Sequence, residues 1–215
     1  RLLNSITKET LDNEIDRLCN LFSQGYVEQV LNQSTLLLKN FPESVALNII
    51  KGDANTKLHK FDAAIASYTN AIKLKPDFAV SHFNLGVALQ DKRDFESAIQ
   101  SYKNAIAVKP DYLSAYYNIA VSFGKIGFLE NSVKYFLKTI RLDPYHYPSW
   151  NNLLFPLHVL KNQNSNSFKK LMKEFEFLKT KKARINLEIL KYDLNRGFLK
   201  TENAIDKAIA QIPQD

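Results

Sequence analysis

An all-α solenoid of stacked helical hairpins is what this 215-residue chain predicts, and three features of its sequence predict it. Pro42, Pro76, Pro110 and Pro144 fall 34 residues apart. Large rings keep the same spacing, Phe61 with Phe95, and Tyr68 with Tyr102 and Phe136. Small residues keep it too: Gly52 and Gly86 align with Ala120, Ala64 and Ala98 with Ser132, and Ala71 and Ala105 with Thr139. A fixed period of this length marks one supersecondary unit copied along the chain. A single unit cannot bury both of its faces, so it stacks on its neighbours.

The unit is clearest in residues 79–112. Val80, Phe83, Val87 and Asp91, with Leu85 and Leu89, follow a 3.6-residue period, and Phe95, Ala98, Ile99, Tyr102, Ala105 and Ile106 follow a second one. Between them Lys92, Arg93 and Asp94 form a short polar turn, which forces the two helices antiparallel. Pro110 and Asp111 end the second helix, because proline lacks the N–H that a helix needs. Gly86 and Ala98 let the helices approach, while Phe95 and Tyr102 fill the space between hairpins.

This order of small, large and proline positions resembles the tetratricopeptide repeat, a 34-residue helix-turn-helix unit, in its bacterial form. The resemblance implies a right-handed α-α superhelix whose first helices line a concave, partner-binding face. Residues 45–78, 79–112 and 113–146 are regular repeats, with second helices expected at 61–73, 95–107 and 129–141. In the last of them Gly124 and Gly127 flank the turn and Leu129 replaces phenylalanine, which suggests a looser hairpin.

Residues 1–44 read as a degenerate first repeat: a lead-in over 1–8, a helix from Glu9 to Phe22, a turn at Ser23, Gln24 and Gly25, and a helix from Val27 to Lys39. It departs from the pattern at Val30, Ser34 and Leu37, as an end repeat with one uncovered face should. Cys19 is read as a small apolar residue of its first helix. Residues 147–215 read as a partial repeat with capping helices. Pro148 starts a helix that Pro156 is expected to kink, the polar run 161–167 lengthens the following turn, and helices follow near 167–179, 182–195 and 201–211.

Composition narrows the function. One cysteine in a chain that is 45% hydrophobic excludes a disulfide scaffold, and no run reaches the roughly 20 apolar residues of a membrane span. The expected setting is cytoplasmic. Of the net charge of +7, most lies in 147–215, with 12 basic and 7 acidic side chains peaking at Lys179, Lys181, Lys182 and Arg184. That cluster is short and carries no interleaved aromatics, so it reads as a solvated helix face and turn and not as a nucleic-acid site. No glycine-rich phosphate loop, paired cysteines, His-Glu-x-x-His or nucleophile elbow is present. The histidines, His59, His82, His146 and His158, lack metal-ligand spacing with carboxylates, and Asp53, Asp62, Asp77 and Asp111 read as capping or solvated groups. The expectation is a chain that is not an enzyme and uses no cofactor or metal.

The binding expectation rests on one column. Asn84, Asn118 and Asn152 are 34 apart on the first helices, and a primary amide offers both donors and an acceptor to an extended peptide backbone. The column resembles the asparagine ladder of the repeats in O-linked N-acetylglucosamine transferases, although Ile50 breaks it one repeat earlier. Phe83 and Tyr117, Val87 and Val121, and Phe155 lie on the same helix faces and imply an apolar groove floor. His82 and His158 stand where they would edge it, and Lys125 reads as solvated.

The repeats that grip chaperone carboxylate tails use a lysine and asparagine pair with later basic residues. Here those positions are Ile49 with Asp53, Phe83 with Val87, Val80 with Asn84, and Ser114 with Asn118, so that pattern is missing. Two readings follow: a protein-interaction scaffold binding an extended peptide or partner segment, or the recruiting or oligomerising N-terminal module of a larger glycosyltransferase or sulfotransferase. Homodimerisation through exposed end helices is a third reading.

Overall fold

Each of the four regular turns closes on a residue with left-handed backbone, and these residues are themselves 34 apart: Gly25 at φ 87°, His59 at 57°, Arg93 at 69° and Gly127 at 82°. The computed structural model describes residues 8–163 and 166–174. In all four turns the amide after the left-handed residue reaches back five residues, from Tyr26 to Leu21, Lys60 to Asn55, Asp94 to Leu89 and Phe128 to Phe123, at 2.8–3.0 Å. This is the Schellman closure, which satisfies carbonyls that a helix end leaves open. The hairpin at Gly124 and Gly127 is therefore not looser than the others. Gly127→Ala should cost about 1 kcal/mol, the left-handed penalty of an L-residue, read as a lower urea midpoint.

The ten described helices are α1 (Lys8–Ser23), α2 (Val27–Asn40), α3 (Val45–Lys57), α4 (Phe61–Leu74), α5 (Ala79–Asp91), α6 (Phe95–Val108), α7 (Leu113–Lys125), α8 (Leu129–Leu142), α9 (Tyr147–Asn162) and α10 (Asn166–Glu174). No strand occurs among the described residues. None of these helices is long and apolar enough to cross a membrane. The chain divides into two compact units, one up to Pro110 and one from Asp111.

In the first unit α1 to α6 form three hairpins, and α3 packs against both α1 and α5. Leu18, Val30, Leu37, Leu47, Ile50 and Ala54 make one buried cluster, and Ala64, Tyr68 and Ala88 make another. Ser44 caps α3 by accepting the Leu47 amide at 3.3 Å, and Asp94 caps α6 through Ser97 at 3.2 Å. Each second helix ends alike: the amides of Phe41, Lys75 and Lys109 bond Leu37, Ala71 and Ala105, and the next residue is a proline that cannot extend the ladder.

The second unit repeats this with α7, α8 and α9, and α10 packs on α8 and α9. Its core is Val133, Phe136, Leu137, Ile140, Trp150, Leu153, Leu157 and Leu171, all nearly inaccessible. The sole tryptophan, Trp150, donates from Nε1 to the Pro144 carbonyl at 3.0 Å. His82, two repeats earlier in the first unit, meets the Pro76 carbonyl at 2.8 Å through Nε2, so that nitrogen carries the proton. Trp150→Phe should cost about 1 kcal/mol, read by thermal unfolding.

Several local expectations change. Pro156 lies inside α9, as the kink expectation places it, but the helix runs on to Asn162, past the point where the polar stretch was expected to begin a turn. The core contacts of Leu153, Leu157 and Leu160 hold both sides of the proline in one helix. Cys19 is exposed and is not part of the apolar stripe, which uses Leu18 instead. Val80 is 37% exposed, at the margin of its helix face. The lead-in up to residue 7 and the helices expected near 182–195 and 201–211, with the basic cluster, lie outside the described residues.

Candidate functional site

Each unit holds a cleft built on its first helices. The cleft of the first unit, about 440 Å³, is lined by Phe22 of α1, Asp53, Thr56, Tyr68, and Asn84 and Val87 of α5. Asp53 sits in mid-α3, where the following hairpin carries Val87 on α5. It is neither a cap nor a freely solvated group. Its Oδ1 accepts the Tyr68 hydroxyl at 2.6 Å and the Asn84 side-chain amide at 3.0 Å. Thr56 Oγ1 lies 3.3 Å from the same hydroxyl.

Burial pushes the Asp53 carboxyl above the usual carboxylate range, and the bonds from Tyr68 and Asn84 offset only part of that rise. Burial, then the negative charge of Asp53, push the Tyr68 phenol far above its ordinary value, so it stays a donor. A carboxyl whose folded-state pKa is raised stabilises the fold at low pH, and that contribution is lost as pH rises through its folded value. Asp53→Asn should accordingly melt above the wild type at pH 7, with the difference closing as pH falls through the carboxylate range. Thermal melts from pH 3 to 8 measure it.

Asp53 also fixes Asn84. A carboxylate can only accept, so the Asn84 nitrogen faces it, leaving the amide oxygen and the second N–H unused among the described residues. In the second unit Asn152 does the same, donating to the Tyr117 hydroxyl at 2.8 Å. Asn118 is half-buried on α7. The second cleft, about 320 Å³, is lined by Val121 and Lys125 of α7, Leu129 and Phe136 of α8, and Asn152 and Phe155 of α9. Pro156, which also lines it, has no N–H to give the Asn152 carbonyl.

Of the expected site residues, Val87 stands with Asn84 in the first unit's cleft, and Val121, Phe155 and Asn152 share the second's. Phe155 is 59% exposed. Phe83 and Tyr117 turn towards the packing: Phe83 lies 5.5 Å from the Tyr102 ring, and Tyr117 lies 5.8 Å from Phe136 and 5.2 Å from His146. Lys125 is exposed beside the second cleft. The sequence reads Asp53 as a capping or solvated group and Tyr68 as a packing ring, and places neither in the site. The available signal was a carboxylate standing in the column of Val87 and Val121. Among the described residues no group of three or more His, Cys, Asp or Glu side chains is placed to hold a metal ion.

The family described as TPR repeat matches residues 52–93 and 91–127, and the tetratricopeptide repeat family matches 113–146. No curated protein matches the chain in sequence. Among solved structures, MamA 41-end from Desulfovibrio magneticus RS-1 is similar at 18% identity and a TM-score of 0.65, covering 82% of this chain and 100% of that one. The first TPR of Spaghetti (RPAP3), bound to HSP90 peptide SRMEEVD, is similar at 24% identity and 0.53, covering 54% and 93%. An O-GlcNAc transferase of Thermobaculum terrenum is similar at 20% identity and 0.59, covering 63% of this chain and 27% of that one. At these identities the likeness is one of fold.

Proposed function

We propose, from the match of tetratricopeptide-repeat families to residues 52–146, that this chain is a protein-interaction scaffold holding extended partner segments through side-chain amides, Asn84 in its first unit and Asn118 and Asn152 in its second. The observation that carries this reading is the way the flanking amides are held. Asn84 and Asn152 each spend one N–H on a neighbour in the preceding hairpin and keep a carbonyl and a second N–H in a cleft. That pair matches the acceptor and donor that an extended backbone presents along one edge. Val87, Val121 and Phe155 add apolar contact for side chains, and Phe83 and Tyr117 act by supporting the helices that present the amides.

The peptide seen on the RPAP3 repeat speaks for a peptide as partner class. It does not speak for that peptide here, because the first unit's cleft carries a carboxylate, Asp53, which repels an acidic segment. No catalytic step is assigned to these residues. The module reading, in which the repeats recruit substrate for a transferase, is supported by the O-GlcNAc transferase likeness, where this fold occupies 27% of the longer chain.

The test is the triple variant Asn84→Ala, Asn118→Ala, Asn152→Ala, checked for unchanged helicity and offered the same pool of unstructured peptides as the wild type. With about 1 kcal/mol per amide, binding should fall about 100-fold. Undiminished binding would return the asparagines to a role in packing.

A further inference from the structure

We propose that the cleft of the first unit takes a cationic side chain, arginine or lysine, from the bound partner segment, with Asp53 as its anion. This rests on the peptide-binding reading and adds a specificity to it.

The geometry points to a ligand of that chemistry. Both donors that reach Asp53 go to Oδ1, and among the described residues Oδ2 has no hydrogen-bond partner. No lysine, arginine or histidine nitrogen of a described residue lies within 4.0 Å of that carboxylate, so a half-buried anion stands at the wall of an open cleft without a counter-ion. Leaving such a group uncompensated costs stability, and its raised proton affinity reports that cost. The rest of the cleft suits the remainder of such a side chain. Phe22 and Val87 offer apolar contact for the methylenes, and the Phe22 ring a face for a guanidinium. The Asn84 amide stands beside the carboxylate to hold the ligand's own backbone.

Besides Asp53 and the buried Tyr68, three charged or titratable groups line the cleft, all exposed: Asp91, Lys57 and His59. Asp91 adds a second negative charge. Lys57 opposes a cation, and set against the carboxylates of Asp53 and Asp91 its single ammonium leaves one more negative than positive charge. A cation entering the cleft competes with Lys57 for the same field.

The test uses the full chain and two fluorescent 12-residue peptides of alternating alanine and serine, identical but for a central arginine in one and citrulline in the other. Citrulline keeps the shape and removes the charge. By anisotropy the arginine peptide should bind about tenfold tighter, the effect of one charge-assisted hydrogen bond. Asp53→Asn should reduce that ratio to near one, and Lys57→Gln should raise it. The ratio is the readout because a merely structural role for Asp53 would weaken both peptides alike. Equal binding of the two peptides to the wild type would overturn the cation site and leave peptide capture standing. A preference that survives in Asp53→Asn would also overturn it, placing the anion elsewhere. Binding of neither peptide at millimolar concentration would overturn peptide capture and this inference together.

Discussion

Phe136→Ala should lower the stability of the second unit by about 3–5 kcal/mol, the usual cost of emptying a buried aromatic site. The ring is 2% exposed, on α8, and shares one cluster with Leu137, Ile140, Trp150 and Leu153. Few of these neighbours can move into the space, because each is held in a helix packed on both sides. The Tyr117 ring, 5.8 Å away, loses its support, and with it the hydroxyl that receives the Asn152 amide. Trp150 is the sole tryptophan and is buried in the same cluster, so its emission reports this unit directly. Urea unfolding followed by that emission should show a lower midpoint. Lys134→Ala, an exposed site on the same helix, should move it by no more than about 0.5 kcal/mol.

Much of the fold was legible because each landmark has its own physical cause. A proline after each second helix, a ring and a small residue at fixed offsets, and a short polar turn all point to the same hairpin, and consistency across levels is what specifies a structure. The shared turn conformation was only half legible. Gly25 and Gly127 announce a left-handed residue, but His59 and Arg93 occupy the same place at φ 57° and 69°; histidine has only a modest leaning that way and arginine none. There the helix-end hydrogen bonds outweigh a local strain of about 1–2 kcal/mol.

The candidate site was legible in its column and not in its depth. Spacing alone put Asn84, Asn118 and Asn152 at one repeat position and Val87 and Val121 beside it. It could not distinguish Phe83 and Tyr117, which turn to the packing, from residues that face a cleft, since both lie on one helix face within a turn of each other. Asp53 was misread because an aspartate in a helix is usually solvated. What changes its role is a tyrosine 15 residues on, whose hydroxyl reaches back across the hairpin.

Gly86→Ala should cost about 1–3 kcal/mol by overpacking, and the size of the penalty turns on Tyr102. A methyl at position 86 would stand 2.5 Å from Cε1 and 2.6 Å from Cδ1 of that ring. The ring cannot simply withdraw: its hydroxyl donates to Gln90 at 3.2 Å and its face meets Phe83 at 5.5 Å. The hairpin at 52 and 68 repeats the arrangement, with a methyl at Gly52 falling 2.4 Å from Tyr68 Cε1 and a hydroxyl held by Asp53. The next hairpin after Gly86 uses another solution, Ala120 with Phe136, in which the methyl is present and the hydroxyl is gone. Copying it gives a sharper test. Tyr102→Phe alone should cost about 1 kcal/mol for the lost hydrogen bond. The pair Gly86→Ala, Tyr102→Phe should cost less than the two added together, by about 0.5–1 kcal/mol, because a ring released from Gln90 can shift to admit the methyl. Strict additivity in a double-mutant cycle would mean that Phe83 and the backbone, and not the hydroxyl, hold the ring in place.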